Sequence, residues 1–473
     1  MTTKKRYNFR TQPTPEQLYA LRQAVKHKRY GIFFQQRVGK TKVAIDFCGI
    51  QHMLEGAKKV LIVCPLSVRG EWEKQIPEHL SPDIPFSIYL YQSDRRFSSA
   101  TLHNSQRVAP DKMLFTIINY DKLGPHRDVL LSWNPDIIIF DESHMLKHHT
   151  SVRSKAAYLL TKRTDKKDPN VLLLTGTPIT HNWTDIFSQF RVMDSDIFGH
   201  RWTEFRDTYA IMGGYMGKQV VGCKDIEAIK ALMKEHSVRV LRANVMDEPD
   251  VENITLTVPF EPSARKAYDT LKKSWTVELE QGGDVVADLA ITRMMRLQQM
   301  CGGFATTEEG IVHQVSKAKA MLLKDLVATA VEGGEQVVIF HRFTAEVGLI
   351  ESVLKAHKVG YYNGAVKEAD RKKVKEAFQN GELDAIVVQV STGAMGVSFD
   401  RAHINIFYST DFSLQNYLQA KDRVMGRFQK SDVVTNYHLA VEKSIDELLL
   451  KTLAKNNDFA SSVADSYKAV LRT

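Results

Sequence analysis

The clearest pattern along the chain is a series of short, wholly apolar runs that end abruptly in polar residues. Gly31–Phe34, Val60–Cys64, Leu114–Ile118, Ile137–Phe140 and Val171–Leu174 recur through the first half, separated by stretches of helical period. Runs of this length without polar alternation suit strands buried on both faces, as in a parallel sheet. Each is followed by a turn and an amphipathic stretch, which predicts repeated βα units of a doubly wound sheet. From about Arg201 to Lys317 the pattern is less regular and largely helical, with Gly213, Gly214 and Gly217 marking a loop. A second strand–turn–helix series then opens with EQVVIFHRF, continues through GYYNG and Asp384–Gln389, and reaches AHINIFYS. The expected architecture is α/β, with one lobe over 1–200, a mostly helical insertion over 201–317 and a second lobe over 318–473.

Two of the polar turns carry chemistry. The run PDIIIFDESH ends in adjacent carboxylates, Asp141 and Glu142. Two acids at a strand's carboxyl end burden a core but suit a site, since ligands of open α/β sheets bind there. In that role Asp141 would hold Mg²⁺ and Glu142 would orient or deprotonate an attacking water. The alternative is a strand leaving the core into a polar turn. Earlier in the chain, GIFFQQRVGKTKVAIDFC reads as strand, loop, Gly-Lys-Thr and helix. Backbone N–H groups and a helix N-terminus surround phosphates in such a loop, Gly39 closes it, Lys40 reaches the β/γ-phosphates and Thr41 ligates Mg²⁺. Phe34 stands where the general phosphate-loop pattern has its first glycine, so the pattern is incomplete.

Composition narrows the class. The 473 residues are ample for two or more domains, and 43% hydrophobic with 25% charged residues is ordinary for a globular protein. No apolar run approaches the roughly 20 residues of a membrane span, and the N-terminus lacks the apolar core of a secretory signal, so a cytoplasmic location is expected. Cys48, Cys64, Cys223 and Cys301 stand apart without metal-ligand spacing, so neither a zinc site nor a disulfide framework is expected. A net charge of +9 favours an anionic partner, nucleic acid first.

Taken in order, these segments resemble the superfamily-two helicases and, within them, the Swi/Snf-related DNA translocases. Gln17 matches the adenine-recognising glutamine, VGKT motif I, VLIVCPLSVRGEW motif Ia, TIINYDKL motif Ib, DESH motif II and LTGTPI motif III. In the second half VVIFHRF, STGAMGVSF and QAKDRVMGRFQ resemble motifs IV, V and VI. Three departures stand out. His181 occupies the usual asparagine position after motif III, Ser398 the usual asparagine of motif V, and Gly426 the second arginine position of motif VI, with Arg427 next.

The resemblance implies two RecA-like lobes that clamp ATP and Mg²⁺, with a motif VI arginine, Arg423 or Arg427, acting as the arginine finger. It implies that His144, Thr175, Thr177 and Gln419 couple the nucleotide site to nucleic acid. By motif position, Ser67, Arg69, Tyr120, His341, Ser391 and Thr392 contact the phosphate backbone, so binding should be sequence-independent and salt-sensitive. The implied activity is ATP-driven translocation along double-stranded DNA. Strand separation on DNA or RNA, and service as the motor subunit of a replication or restriction assembly, are the alternatives. The compact build is similar to bacterial or viral members.

Overall fold

The computed structural model describes residues 6–91, 102, 111–162, 168–179, 182–213, 219–245, 249–280, 287–307, 309–393, 398–425, 429 and 431–455. Its contacts divide the chain into two compact units, Met1–Asp247 and Glu248–Thr473.

The first unit carries β1 (Arg29–Phe34), β2 (Lys59–Cys64), β3 (Phe86–Leu90), β4 (Met113–Asn119), β5 (Ile137–Asp141) and β6 (Asn170–Leu174). A short hairpin of β7 (Ala210–Gly213) and β8 (Gln219–Cys223) follows, and then β9 (Ser237–Val240). The main sheet has the order β3-β4-β2-β5-β6-β1-β9, with parallel pairs throughout. The apolar runs are apolar on both faces because helices cover both. Ile137 and Ile139 pack into one core with Ile32, Phe34, Val60 and Ile62, while Ile138 and Phe140 pack into the other with Phe33, Leu61 and Val63. The edge strand β9 approaches β1 closely at Gly31, where a Cβ would lie 2.7 Å from the Cβ of Ser237. Only a glycine fits there without displacing the strand.

The second unit repeats the plan with β10 (Asp250–Val258), a hairpin of β11 (Phe304–Thr306) and β12 (Val312–Gln314), then β13 (Val337–His341), β14 (Val359–Tyr362), β15 (Ala385–Gln389), β16 (Ile404–Phe407) and β17 (Val433–Val441). Its main sheet has the order β10-β17-β16-β13-β15-β14, again parallel. Alternate residues again serve opposite cores, with Val338 and Phe340 on one side and Val337 and Ile339 on the other.

The stretch 201–317 is therefore shared between the units. Its Ser237–Val240 segment completes the first sheet and its Asp250–Val258 segment is the edge of the second. It also holds the helices Ile226–His236, Pro262–Glu280 and Ala287–Cys301. Gly213 ends β7, while Gly214 and Gly217 lie outside the described residues. Among the described residues no helix is long and apolar enough to cross a membrane.

Candidate functional site

The loop from Gln35 to Gly39 is fixed at both ends before any ligand arrives. The Gln35 backbone N–H donates to the Val240 carbonyl at 2.9 Å, and its side-chain carbonyl accepts from the Arg242 N–H at 2.9 Å. At the other end Gly39 has φ +88°, a left-handed value open to glycine at little cost. The helix Lys40–Glu55 then begins with no side-chain cap. Its first N–H groups are left for a ligand, and the helix dipole favours an anion there.

Gln17 braces this loop. It closes a capping box with Thr14 at the start of the helix Pro15–His27, and its side-chain amide donates to the Val38 carbonyl at 2.9 Å. The side chain is buried against Gly39, where a Cβ would meet its Nε2 at 2.3 Å. The carbonyl oxygen of the amide is occupied by the Thr14 N–H at 3.1 Å. In this structure Gln17 shapes the phosphate loop.

Across the sheet, β5 delivers Asp141 and Glu142 beside β6, with Asp141 in register with Leu174. Glu142 takes φ +52°, a left-handed conformation that is strained for a residue other than glycine. Three groups hold its carboxylate. The Lys40 ammonium lies 3.6 Å from Oε1, while His144 Nδ1 and the Thr175 hydroxyl each lie 3.2 Å from Oε2. His144 and Thr175 also meet each other at 3.0 Å, and the Thr177 N–H donates to Thr175 Oγ1 at 3.1 Å. The sequence-predicted Lys40, Glu142, His144, Thr175 and Thr177 thus form one connected group.

Asp141 is 3% exposed. Its Oδ2 accepts from the Trp72 indole at 2.9 Å, and its Oδ1 from the Glu142 N–H at 3.0 Å. The two carboxyls are driven apart electrostatically. Burial and the neighbouring charge of Glu142 push Asp141 up to about 6. Burial also works to raise Glu142, but Lys40, His144 and Thr175 outweigh it and hold that group well below the ordinary carboxylate range. Glu142 is accordingly the fixed anion of the pair, and Asp141 is the group whose charge a cation would stabilise. Among the described residues no group of three or more His, Cys, Asp or Glu could hold a metal. A Mg²⁺ ion taking one carboxylate, one hydroxyl and phosphate oxygens needs no such cluster, and Asp141 with Thr41 fits that donor set.

Two contributors were not legible as site residues. Trp72 anchors Asp141 from the helix Arg69–His79. Gln189 accepts from the Ser143 hydroxyl at 2.9 Å and donates to the Pro178 carbonyl at 2.6 Å, tying the turn after β5 to the turn after β6. Neither has a local sequence signal, because each reaches its partner through the fold.

The residues expected at a nucleic-acid surface are placed variously. Tyr120 is 1% exposed and donates to the Asp141 carbonyl at 2.8 Å, and His341 is fully buried with Nδ1 directed at the Phe343 carbonyl at 3.1 Å. Both are buried in this structure: the Tyr120 hydroxyl is satisfied by a backbone carbonyl, while His341 places Nδ1 on a carbonyl and leaves Nε2 without a hydrogen-bond partner among the described residues. Arg69 donates to the Tyr91 carbonyl. Ser391 is exposed in the short helix Val390–Gly393, which also contains Thr392, and Ser67 sits in the 3₁₀ turn Leu66–Val68. In the second unit Gln419 and Arg423 are buried at the end of the helix Leu414–Lys421. His181, Gly426 and Arg427 lie outside the described residues.

With this geometry in hand, comparison with known proteins is informative. The family model described as the SNF2-related domain matches residues 18–303, more than half of the chain, and that of the helicase conserved C-terminal domain matches residues 318–428. A SWI/SNF-related matrix-associated actin-dependent regulator of chromatin subfamily A-like protein 1 homolog from Caenorhabditis elegans is 26% identical, over 86% of this chain and 55% of its own length. The ISWI chromatin-remodeling complex ATPase ISW1 of Saccharomyces cerevisiae is 24% identical, over 90% of this chain and 38% of its own. The ATP-dependent DNA helicase DDM1 of Arabidopsis thaliana is 23% identical, over 88% and 57%. The chain thus spans little more than half the length of these curated relatives, or less. Among solved structures, the Sulfolobus solfataricus SWI2/SNF2 ATPase core in complex with dsDNA is 19% identical with a TM-score of 0.44, covering 98% of this chain and 96% of that one.

Proposed function

The chain belongs to the family of SNF2-related domains, and on that premise we propose that it is an ATP-driven motor that moves along double-stranded DNA. The observation that carries the chemistry is the Glu142 carboxylate, held by Lys40, His144 and Thr175 beside the uncapped start of the helix Lys40–Glu55. On this reading Lys40 and the open N–H groups of that helix bind the phosphates of ATP. Thr41 and Asp141 would hold Mg²⁺, which would neutralise charge on the phosphates. Glu142, held as a fixed anion, orients the attacking water. His144 and Thr175 keep Glu142 ionised and aimed, since both contact the same oxygen. Arg423 and Arg427, in the second unit, are the candidates for the cation that answers charge building in the transition state.

The net charge of +9 supports a polyanionic track. Grip on phosphates carries little sequence information, so movement would be sequence-independent. Related proteins described as a chromatin-remodeling ATPase and a DNA helicase support this class of substrate.

The test is steady-state ATP hydrolysis without nucleic acid, then with duplex DNA, single-stranded DNA and RNA, each at two salt concentrations. Strong stimulation by duplex DNA that weakens with salt is the expected result. Stimulation by single strands or RNA alone would replace translocation on duplex DNA with strand separation. Absence of stimulation by any nucleic acid would point to a motor subunit that needs its assembly.

A further inference from the structure

The first unit contains a cavity of about 460 Å³ that the proposed ATP chemistry does not use. It opens beside the turn after β6 and is bounded by Gly176, Thr177, Pro178 and Ile179, by Trp183, by Lys230, Met233 and Lys234 of the helix Ile226–His236, and by Ser237–Arg239 of β9. Tyr19 and Phe33 complete the wall. Lys40, Thr41, Asp141 and Glu142 are not part of its lining, so this is a second site.

Its chemistry is specific. Three aromatic rings, Tyr19, Phe33 and Trp183, are combined with three cations, Lys230, Lys234 and Arg239, and no carboxylate lines the cavity. The Lys230 ammonium stands 5.5 Å over the Trp183 ring and is shared with Glu227 at 2.7 Å. Lys234 and Arg239 are exposed at the rim and have no ion-pair partner among the described residues. Tyr19 is 54% exposed, so its ring is open to an occupant. A flat aromatic group suits the walls, and an anion attached to it suits the rim. The volume falls within the usual range of small-ligand pockets, roughly 300–1,000 Å³. Stacking surfaces joined to cations are how proteins hold unpaired nucleotides without reading sequence.

We propose that this cavity captures one unpaired nucleotide of a nucleic-acid strand, its base among Trp183 and Tyr19 and its phosphate at Lys234 and Arg239. This rests on the reading of the chain as a nucleic-acid motor, and it adds a single-strand site to a duplex translocase. The site would also report to the ATPase chemistry. The Thr177 N–H donates to Thr175 Oγ1 at 3.1 Å, and Thr175 donates to Glu142 at 3.2 Å. An occupant pressing on Thr177 is therefore two hydrogen bonds from the water-orienting carboxylate.

The experiment measures binding of a fluorescently labelled oligothymidylate and of a labelled duplex by anisotropy, without ATP, on the whole chain. Trp183→Ala should weaken oligothymidylate binding roughly tenfold, in line with the usual loss of one stacked base, and leave duplex binding unchanged. The double variant Lys234→Ala with Arg239→Ala, on exposed positions that folding tolerates, should weaken it similarly and flatten its salt dependence. Thymidine monophosphate shares the base-plus-phosphate chemistry. Displacement of the oligonucleotide by it would assign the cavity to free nucleotides as well, and failure to displace would restrict it to strands. Equal losses for single strand and duplex, or no loss in either variant, would overturn the proposal. Duplex-stimulated hydrolysis measured alongside separates the two failures, because it survives if only the cavity assignment is wrong.

Discussion

At Glu142 one backbone angle and one charge work against each other. The left-handed φ of +52° costs on the order of 1 kcal/mol or more for a residue other than glycine. The conformation persists because Lys40, His144 and Thr175 all engage the carboxylate. Replacing Glu142 by Gln keeps the shape and removes the charge, so ATP turnover should fall at least roughly a hundredfold while the fold survives. Near-normal hydrolysis by the purified variant would remove Glu142 from the chemistry. Thr175→Val exchanges the hydroxyl for a methyl group of similar size. Its expected effect is a fall in kcat of roughly tenfold with KM little changed, because Thr175 positions Glu142 and is not assigned to ATP binding. At this scale the sequence singled out Lys40, Asp141 and Glu142 through residue type and their place where β5 ends and where the loop after β1 ends, and the structure brings Lys40 to Glu142. It did not reveal that Tyr120 and His341 are buried, because residue type does not say whether a polar tip turns to solvent or into the protein. It placed Trp72 at the end of the motif Ia stretch without showing that it meets Asp141 across 69 positions of chain.

Among the elements, legibility followed burial. The doubly covered strands β1, β2, β4, β5 and β6 are apolar throughout and stood out, whereas the edge strands β3, β9 and β10 did not. β10 runs DVENITLTV and is mostly exposed, so its polar residues hid a strand that pairs with β17 over nine positions. β9 has only four residues. Its place beside β1 depends on a missing side chain, since any Cβ at Gly31 would crowd Ser237. Gly31→Val is therefore expected to destabilise the first unit by about 1–3 kcal/mol. It should also loosen the phosphate loop, because Gln35 leans on Val240, the last residue of β9, and on Arg242 just beyond it. Denaturant unfolding and the KM for ATP would read the two effects, and an unchanged KM with reduced stability would show that β9 does not brace the loop.

For the molecule as a whole, two units built alike differ in where they bury titratable groups. In the second unit Glu346 is fully buried, accepting from the Arg342 and Phe343 N–H groups and the Ser409 hydroxyl at 3.1, 2.9 and 2.6 Å. Burial pushes it up to about 7 against those hydrogen bonds. Burial also pushes His341 and His438 down to about 4. The signs oppose. A raised carboxyl contributes stability that is complete below its ordinary value and is lost as pH rises through about 7, a range worth about 3 kcal/mol. Histidines held neutral contribute stability that is present above about 6.5 and lost as pH falls towards about 4. From pH 8 downward the carboxyl acts first and the two histidines then outweigh it, so the contribution of these three groups to the stability of the second unit should peak at about pH 6.5. Urea denaturation at pH 8, 6.5 and 5 would trace this. Glu346→Gln replaces the carboxyl by a neutral group of the same shape, so it should abolish the gain between pH 8 and 6.5 and leave the loss below 6.5 in place. A variant with the same gain as the wild type would mean that another group carries it. The hydrogen bonds to Arg342, Phe343 and Ser409 would then be maintaining the turn after β13 at no electrostatic cost.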